Sequence, residues 1–466
     1  MGTTLLGTSA WAEVEFGNVK LGDKRLDHRA VSLAASLADE PSGILPKAVH
    51  GLAELEAAYR FFGNGSVSYG KLLTPHWERT RRACQNPGDY LLVEDTTDLD
   101  FTSHNETEGL GSIGDGRGLG MFLHTTLALK IERWTALEEP EVSLLGLFDQ
   151  KVWAREEKTP NRLEKKTERL ARERESQRWA EVFDGTPGPP EGCRWTAVAD
   201  REGDIYEMLE CCVAKGIDYL IRANQARALS EQDGSVFDFI AAQPVLGGFE
   251  LHLRARPGQS ARTAKVEVRS GVTTLRGPWR PDRHPAPLRV HLVEAREVEA
   301  AGVAKPIHWV LLTSWPVESF VDALRVVKSY ARRWLIEEYH KALKTGAGIE
   351  KSELSTASRL KALLGVLALV AARLLNLKLL AEAKPDEPVQ VDEVGPVLLV
   401  ILEAKRGKPP GGWTNRTVLV KIASLGGFLG RKGDGNPGWQ TIWRGWQKLM
   451  LLIQGYNLAR GCERCD

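Results

Sequence analysis

The sequence has few cysteines and almost no net charge. Its 466 residues include six cysteines, two of them adjacent and with no even framework, so a secreted scaffold held by disulfides is not expected. Cys462 and Cys465 form a C-x-x-C without a second pair of ligands, which leaves a zinc site incomplete. Because the net charge is only +1, any basic surface for nucleic acid must be local.

Long uninterrupted apolar runs are also missing. The first residues lack the basic-then-apolar pattern of a signal peptide. With 42% hydrophobic and 26% charged residues, the composition is that of an ordinary folded protein, which we expect to be cytoplasmic and not bound to a membrane. The one candidate span, residues 360–380, predicts a buried or partner-facing helix because polar residues interrupt it, namely Lys361, Arg373, Asn376 and Lys378.

The hydrophobic pattern changes along the chain. Residues 1–70 show helical spacing, and Arg25 and Arg29 would give these helices a basic surface. From Tyr90 onward, YLLVED, MFLHTTLALKI and VSLLGLFDQKVWA predict three strands of an antiparallel meander. A charged helix over 161–183 is then expected, followed by the strand RWTAVAD, the helix GDIYEMLECCVAKG and the strand DYLIRA.

The second half of the chain predicts a different arrangement. Residues 223–306 alternate apolar and polar positions and indicate a separate β-rich insertion. The strand HWVLLTS and a long helix over about 317–344 come next. This order fits an α/β fold with a ribonuclease-H-like mixed-sheet core, flanked by an N-terminal and a C-terminal helical domain. We place the core at 71–354, the N-terminal domain at 1–70 and the C-terminal domain at 355–466.

Three acidic residues stand where catalytic groups are expected. Asp95 and Asp200 each follow an apolar strand, and Glu337 lies on the long helix. Carboxylates from three distant segments can converge on a pair of magnesium ions, which prefer oxygen ligands. Taken singly, each acid is as well explained as a helix or strand cap, or as a solvated side chain.

The surroundings of these acids resemble those of a known family. VEDTTDLDF, AVADREGDIYEML and YARRWLIEEYHKALKTGAGIE are similar to the three active-site blocks of the transposon-five-type transposases, a branch of the insertion-sequence-four-like bacterial family. The spacing Y-x2-R-x3-E-x6-K of the third block is met by Tyr330, Arg333, Glu337 and Lys344. LGDKRL, AAYRFF, HWVLLTSWPVES and LGGFLGRKGDGNPGW extend the resemblance over nearly the whole chain.

The resemblance implies roles for individual residues. Asp95, Asp200 and Glu337 would be the acids of a DDE active site that binds two Mg²⁺ ions, with Mn²⁺ as a substitute. Trp309 would stack on a base flipped out of the duplex, and Arg222 would contact DNA. The residues expected to handle the DNA strand and a hairpin intermediate are Tyr330, Arg333 and Lys344, and helical spacing adds Lys341 to their face.

The implied function is cut-and-paste transposition by a nucleoid-associated bacterial enzyme. Its partners would be double-stranded DNA, as terminal inverted repeats and target, and a second copy of the chain that cleaves in trans. We expect the final helix to carry the dimer contact through a stripe that can equally pack on its own domain, formed by Trp439, Trp443, Trp446, Met450 and Ile453. A simple metal-dependent nuclease of the same fold and a decayed element that binds DNA without cutting it are the alternatives.

Overall fold

The structure is a computed structural model. It describes residues 7–104, 106–134, 139–155, 178–183, 185–253, 262–281, 283–299, 303, 306–389, 396–431 and 434–462. Most of the charged helix predicted over 161–183 lies outside these residues, as do Cys465 and the side chain of Cys462.

The N-terminal region is helical, as predicted. Asp23 caps the second helix by accepting a hydrogen bond from the Arg25 backbone N–H at 2.9 Å, and Ser68 caps the fifth through the Lys71 N–H. Buried apolar side chains join these helices to the main core. The helices are α1 (Thr8–Phe16), α2 (Lys24–Asp39), α3 (Leu45–Ala48), α4 (Leu52–Phe62) and α5 (Tyr69–Ala83).

A mixed sheet forms the centre of the described chain. Its strands are β1 (Gly88–Asp100), β2 (Gly111–Ile113), β3 (Gly118–Arg133), β4 (Glu141–Trp153), β5 (Cys193–Ala199), β6 (Asp218–Arg222), β7 (Val245–Leu253), β8 (Arg262–Leu275), β9 (Leu288–Val298) and β10 (His308–Thr313). The order of the strands in the sheet is β2-β3-β1-β5-β6-β10-β9-β8-β7, with β4 paired to β3. β1, β3 and β4 form the predicted antiparallel meander, whereas β1, β5 and β6 run parallel.

The segment at 223–306 is β-rich, as predicted, but the expectation that it is separate was wrong. β9 pairs antiparallel with β10, with Ala295 opposite Trp309, so β7, β8 and β9 extend the main sheet. Val290 and Leu292 on β9 face one core, and Val293 faces the other. Because both faces of β9 are apolar, this strand needs the helices that cover the rest of the sheet.

Helices cover both faces of this sheet and carry part of the candidate site. The ribonuclease-H-like core between two helical regions matches the expected fold class. Asp200 precedes a single 3-10 turn, Arg201–Gly203, whose Glu202 N–H it caps. The helices that pack on the sheet are α6 (Arg178–Glu181), α7 (Tyr206–Lys215), α8 (Val236–Ala241), α9 (Phe320–Ala331) and α10 (Trp334–Lys341).

The long helix predicted over 317–344 is interrupted. α9 begins after Ser319, which forms a capping box with Asp322, and α10 begins after Arg333. Between them the backbone makes i to i−3 hydrogen bonds, and the Arg332 side chain donates to the Pro140 carbonyl at 2.8 Å. A π turn, Ala342–Gly346, ends the segment. The tighter turn at 332–333 separates α9 from α10 just before the predicted catalytic glutamate.

The apolar run at 360–380 is a core helix. It lies in α11 (Ala357–Ala383), which is capped by Thr356 and packs against α5, β4 and the π turn. By length and hydropathy Ala357–Glu382 qualifies as a membrane span, but 89% of its most apolar window is buried inside the protein. The expectation of a buried helix is confirmed.

The C-terminal helices pack onto this core helix. The prediction that the apolar stripe of the last helix carries the dimer contact was wrong, because Trp443, Trp446 and Met450 are buried within their own chain. The Arg373 guanidinium of α11 lies 5.8 Å from the Trp446 ring centroid. Trp446 therefore packs in the core of its own protomer. The helices are α12 (Pro396–Arg406), α13 (Asn415–Leu425) and α14 (Trp439–Cys462).

Candidate active site

Parallel pairing places the first two acids side by side. In the register of β1 with β5, Glu94 lies opposite Ala199, so Asp95 and Asp200 occupy the next position on each strand. The Asp95 carboxylate accepts from the Thr96 N–H at 2.9 Å, and that of Asp200 accepts from the Glu202 N–H at 2.7 Å. Asp200 directly follows the last residue of β5, whereas Asp95 lies inside β1, which continues to Asp100 as it pairs with β3. The prediction that each acid stands at or just after the end of a strand is therefore confirmed for Asp200 and wrong for Asp95.

The electrostatics of Asp95 reflect this crowding. Burial raises the pKa of Asp95 to about 7, and repulsion from the Asp200 carboxylate adds to the effect, while Arg333 opposes it. Glu337 also repels Asp95. The charges of Asp200 and Glu337 therefore both act on the Asp95 carboxylate.

Arg333 brings the third acid to this site. It precedes α10 and its Nη2 donates to Glu337 Oε1 at 2.6 Å, while its Nη1 lies 3.9 Å from Asp95 Oδ2. The Arg333 side chain is only 14% exposed, so little water screens these attractions. One guanidinium thus links the helix acid to the strand acid.

An aromatic pair lies next to Arg333. The Tyr330 ring is buried and packs edge-on against Trp309, with centroids 5.3 Å apart and planes at 65°. The Arg333 guanidinium lies 5.9 Å from the Tyr330 centroid, and Arg222 interacts with the Tyr330 hydroxyl. Arg222 also donates to the His308 carbonyl at 2.7 Å. The structure brings these predicted DNA contacts together beside the acids.

The two lysines of the third active-site block, Lys341 and Lys344, lie in different surroundings. Lys344 lies on the π turn, where its Nζ is 3.5 Å from Glu350 Oε1. Lys341 is exposed and lines a cleft of about 330 Å³ together with Lys47 and Arg444. The contacts of Arg333 with Tyr330 and Glu337 fit the single face predicted from helical spacing for these three residues. Lys344 lies on the π turn, which changes the helical phase.

The predicted N-terminal cations already have partners. Arg25 pairs with Asp23 at 2.8 Å and its side chain is 92% exposed. Arg29 pairs with Glu54 of α4. Exposed pairs of this kind are weak, so both guanidiniums can exchange these acids for phosphates.

Sequence reasoning missed the buried hydrogen bonds that fix α10. Gln150 of β4 donates to Thr125 Oγ1 at 2.8 Å and to the Tyr339 hydroxyl at 2.9 Å, and accepts from the Tyr69 hydroxyl at 2.7 Å. His340 reaches the same Thr125 at 3.2 Å. The network ties the helix of Glu337 to β3, β4 and α5. In the sequence, only the alternation of polar with apolar residues in β4 indicates that buried hydrogen bonds of this kind exist.

The donor set fits a hard divalent cation, but its present arrangement is incomplete. Carboxylate oxygens are the ligands that Mg²⁺ prefers, and the repulsion between Asp95 and Asp200 is what such an ion would relieve. Within the described ranges, no three acidic, histidine or cysteine side chains are grouped closely enough to hold a metal ion. Glu337 is turned toward Arg333, so release of this contact would let it join the other acids.

The fold and two sequence comparisons define the class of protein. A family model described as Transposase DNA-binding matches residues 8–67, and one described as Transposase Tn5 dimerisation domain matches residues 396–465. The two matches flank a ribonuclease-H-like sheet. The class is therefore a DNA transposase with DNA-binding and dimerisation domains.

The two matches together support a Tn5-type transposase. Transposases of this kind cleave DNA and transfer strands. The matched domains support DNA binding and formation of a homodimer by this chain.

The raised pKa of Asp95 predicts a pH-dependent cost to folding. Between about pH 4 and pH 7 the folded state retains a proton that the unfolded state releases, so the contribution of Asp95 to the free energy of unfolding falls as pH rises. Asp95→Asn should therefore gain stability relative to the wild type across this window. Urea denaturation in metal-free buffer measures it.

The control is Glu78→Gln, which changes an exposed carboxylate on α5. The difference in free energy of unfolding between this variant and the wild type should stay constant across the same pH window. A stability difference between Asp95→Asn and the wild type that stays constant from acid to neutral pH would contradict the assignment.

Proposed function

We propose that this chain is a cut-and-paste DDE transposase whose active site is Asp95, Asp200 and Glu337. It would bind terminal inverted repeats, nick the DNA, form and open a hairpin, and join the ends to target DNA. The observation that carries the proposal is that Asp95 and Asp200 directly follow the paired residues Glu94 and Ala199 of neighbouring parallel strands, with Glu337 held toward them by Arg333. A simple nuclease would have no need for the two matched domains.

The acids would hold Mg²⁺, or Mn²⁺, in a two-metal site. Such ions supply activation of a water or 3′-hydroxyl and stabilise the leaving oxygen of a phosphodiester. In the absence of DNA, the single positive charge of Arg333 partly offsets the charges of Asp95 and Glu337. A DNA phosphate can bind the same guanidinium in bidentate fashion, and Glu337 is then free to turn toward the other acids.

Loss of any one acid should abolish cleavage but not end binding. Asp95→Ala, Asp200→Ala and Glu337→Ala remove metal ligands, whereas residues 8–67 match a DNA-binding domain. A gel shift paired with a magnesium-dependent nicking assay measures both properties. Nicking at the wild-type rate by any of the three would show that the assigned residue is not a catalytic acid.

Trp309 is proposed to stabilise the hairpin step. It is half-buried and packs on Tyr330 beside the acids, so an unstacked base can reach its exposed part. Stacking of a base on an aromatic ring contributes about 1 to 3 kcal/mol. Trp309→Ala should leave the first nick largely intact and make nicked ends accumulate on strand-resolved gels.

The control for this variant is Trp279→Ala, which removes an indole that is 55% exposed and lies outside the predicted site. Hairpin formation by Trp309→Ala at the wild-type rate would mean that this residue only packs against the core.

The dimer contact is proposed to lie on the exposed face of α14. Leu451 and Leu458 are 55% and 71% exposed and are seven residues apart, so they share one face. Gly455 lies between them, and a Cβ at this position would meet no atom within 4 Å. An apolar, low-relief face on the matched dimerisation domain fits a second copy of the same helix.

Glutamate at both leucines should abolish the paired-end complex. The double variant Leu451→Glu, Leu458→Glu should fold and bind one end, because neither side chain is in the core. Light scattering of the end-bound protein would give the mass of one protomer with one DNA. Val213→Glu, which alters a side chain 53% exposed on α7, is the control. A persistent two-protomer mass in the double variant would place the interface elsewhere.

A further inference from the structure

A buried histidine lies behind Asp95, on the reverse face of β1. In the register of β1 with β3, Thr96 lies opposite His124, and Glu94 is two residues from Thr96. Because side chains alternate along a strand, Glu94 and Thr96 project to the face opposite that of Asp95. The His124 side chain is only 1% exposed, and that of Glu94 is fully buried. Neither can touch a substrate, so any influence on the reaction must pass through Asp95.

Hydrogen bonds connect this histidine to the Asp95 carboxylate. Glu94 Oε2 lies 3.3 Å from His124 Nε2, and the Thr96 hydroxyl lies 2.9 Å from His124 Nδ1. The Thr96 backbone N–H in turn donates to Asp95 Oδ1 at 2.9 Å. Burial lowers the pKa of His124 to about 3, so the ring is neutral, and one of its nitrogens donates while the other accepts. The ring therefore fixes the residue whose N–H orients Asp95.

The His124 ring is itself held by an aromatic contact. Trp179 of α6 packs edge-on against it, with ring centroids 4.7 Å apart and planes at 71°. Trp179 is only 4% exposed. A Cβ placed on Gly203 would lie 3.3 Å from atoms of the same indole, so the 3-10 turn capped by Asp200 also packs directly on Trp179. One buried ring thus supports the elements that carry both aspartates.

We propose that His124 is a positioning residue of the metal site, which acts through Thr96 to hold the Asp95 carboxylate in the orientation that a metal ion needs. A hydrogen-bonded partner behind a metal ligand fixes the direction of that ligand, and its loss typically weakens metal binding or activity by about 10- to 100-fold. The inference rests on the proposed function, because it takes Asp95 as a metal ligand.

The principal test changes the hydroxyl that contacts the histidine. Thr96→Val keeps a β-branched side chain of the same shape but loses the hydrogen bond to His124, whereas Thr96→Ser keeps the hydroxyl. Mn²⁺ is titrated into the DNA-free full chain, and electron paramagnetic resonance measures the ion that stays free. Thr96→Val should bind Mn²⁺ about tenfold more weakly than the wild type. Thr96→Ser should bind it as the wild type does.

The matched control is Thr126→Val. Thr126 lies two residues from His124 on β3 and so projects to the same face. Its buried hydroxyl has no hydrogen-bond partner within the described part of the chain. This variant should therefore bind Mn²⁺ with the affinity of the wild type. Equal weakening by the two valine variants, or wild-type affinity of Thr96→Val, would overturn the inference.

The histidine is tested directly by His124→Leu and His124→Asn. Asparagine can place its amide where Nδ1 lies and keep the contact with Thr96, whereas leucine cannot. The Mg²⁺ concentration for half-maximal nicking of a terminal-repeat duplex should rise about tenfold in His124→Leu, with little change in the rate at saturating Mg²⁺, and return toward the wild-type value in His124→Asn. A lower free energy of unfolding in both variants with an unchanged Mg²⁺ dependence would show a purely structural role and overturn the inference. If His124→Leu does not fold, the two Thr96 variants decide.

Failure of this inference can be told apart from failure of the proposed function. Asp95→Ala in the same Mn²⁺ titration tests whether Asp95 is a ligand. If Asp95→Ala loses the ion while Thr96→Val binds it as the wild type does, Asp95 remains a ligand and His124 has no positioning role. If Asp95→Ala itself binds Mn²⁺ as the wild type does, the metal site is wrong, and the proposed function and the inference fail together.

Discussion

The site depends on keeping three mutually repelling carboxylates within reach of one another. Burial and the neighbouring Asp200 already raise the pKa of Asp95 to about 7, so a third acid at this edge would be costly without a cation. Arg333 supplies that cation to Asp95 and Glu337. In the proposed mechanism, binding of a phosphate by Arg333 would release Glu337, so phosphate binding and metal binding by the acids would be linked.

The position of Glu337 is set by packing that lies away from the chemistry. Gln150, Thr125 and Tyr339 satisfy one another in the interior, so α10 cannot slide along the sheet without leaving buried polar atoms unpaired. On the other side of α10, α11 carries apolar residues around its whole surface and is buried among α5, β4 and the π turn. The N-terminal helices share this core. The helices of the matched DNA-binding domain and the helix of Glu337 are therefore held by the same packing.

The final helix has both a buried and an exposed apolar surface. Its tryptophans face inward and pack on α11, α13 and the π turn, while Leu451 and Leu458 remain exposed. The buried tryptophans stabilise the protomer, while the exposed leucines form the surface proposed above for the dimer contact.

The sequence by itself determined most of the strands and helices and their ribonuclease-H-like order, because hydrophobic period is a local property. It placed Asp200 at the end of a strand, whereas only the structure showed that β1 continues past Asp95 and pairs with β5. It also predicted that Tyr330, Arg333 and Glu337 share a face. Tertiary structure decided that β7, β8 and β9 join the main sheet, that the helix breaks at Arg332, and which side of α14 is buried. A repeating apolar pattern shows that a face is covered but not by what, since covering by the same chain or by a partner removes equal apolar area from water.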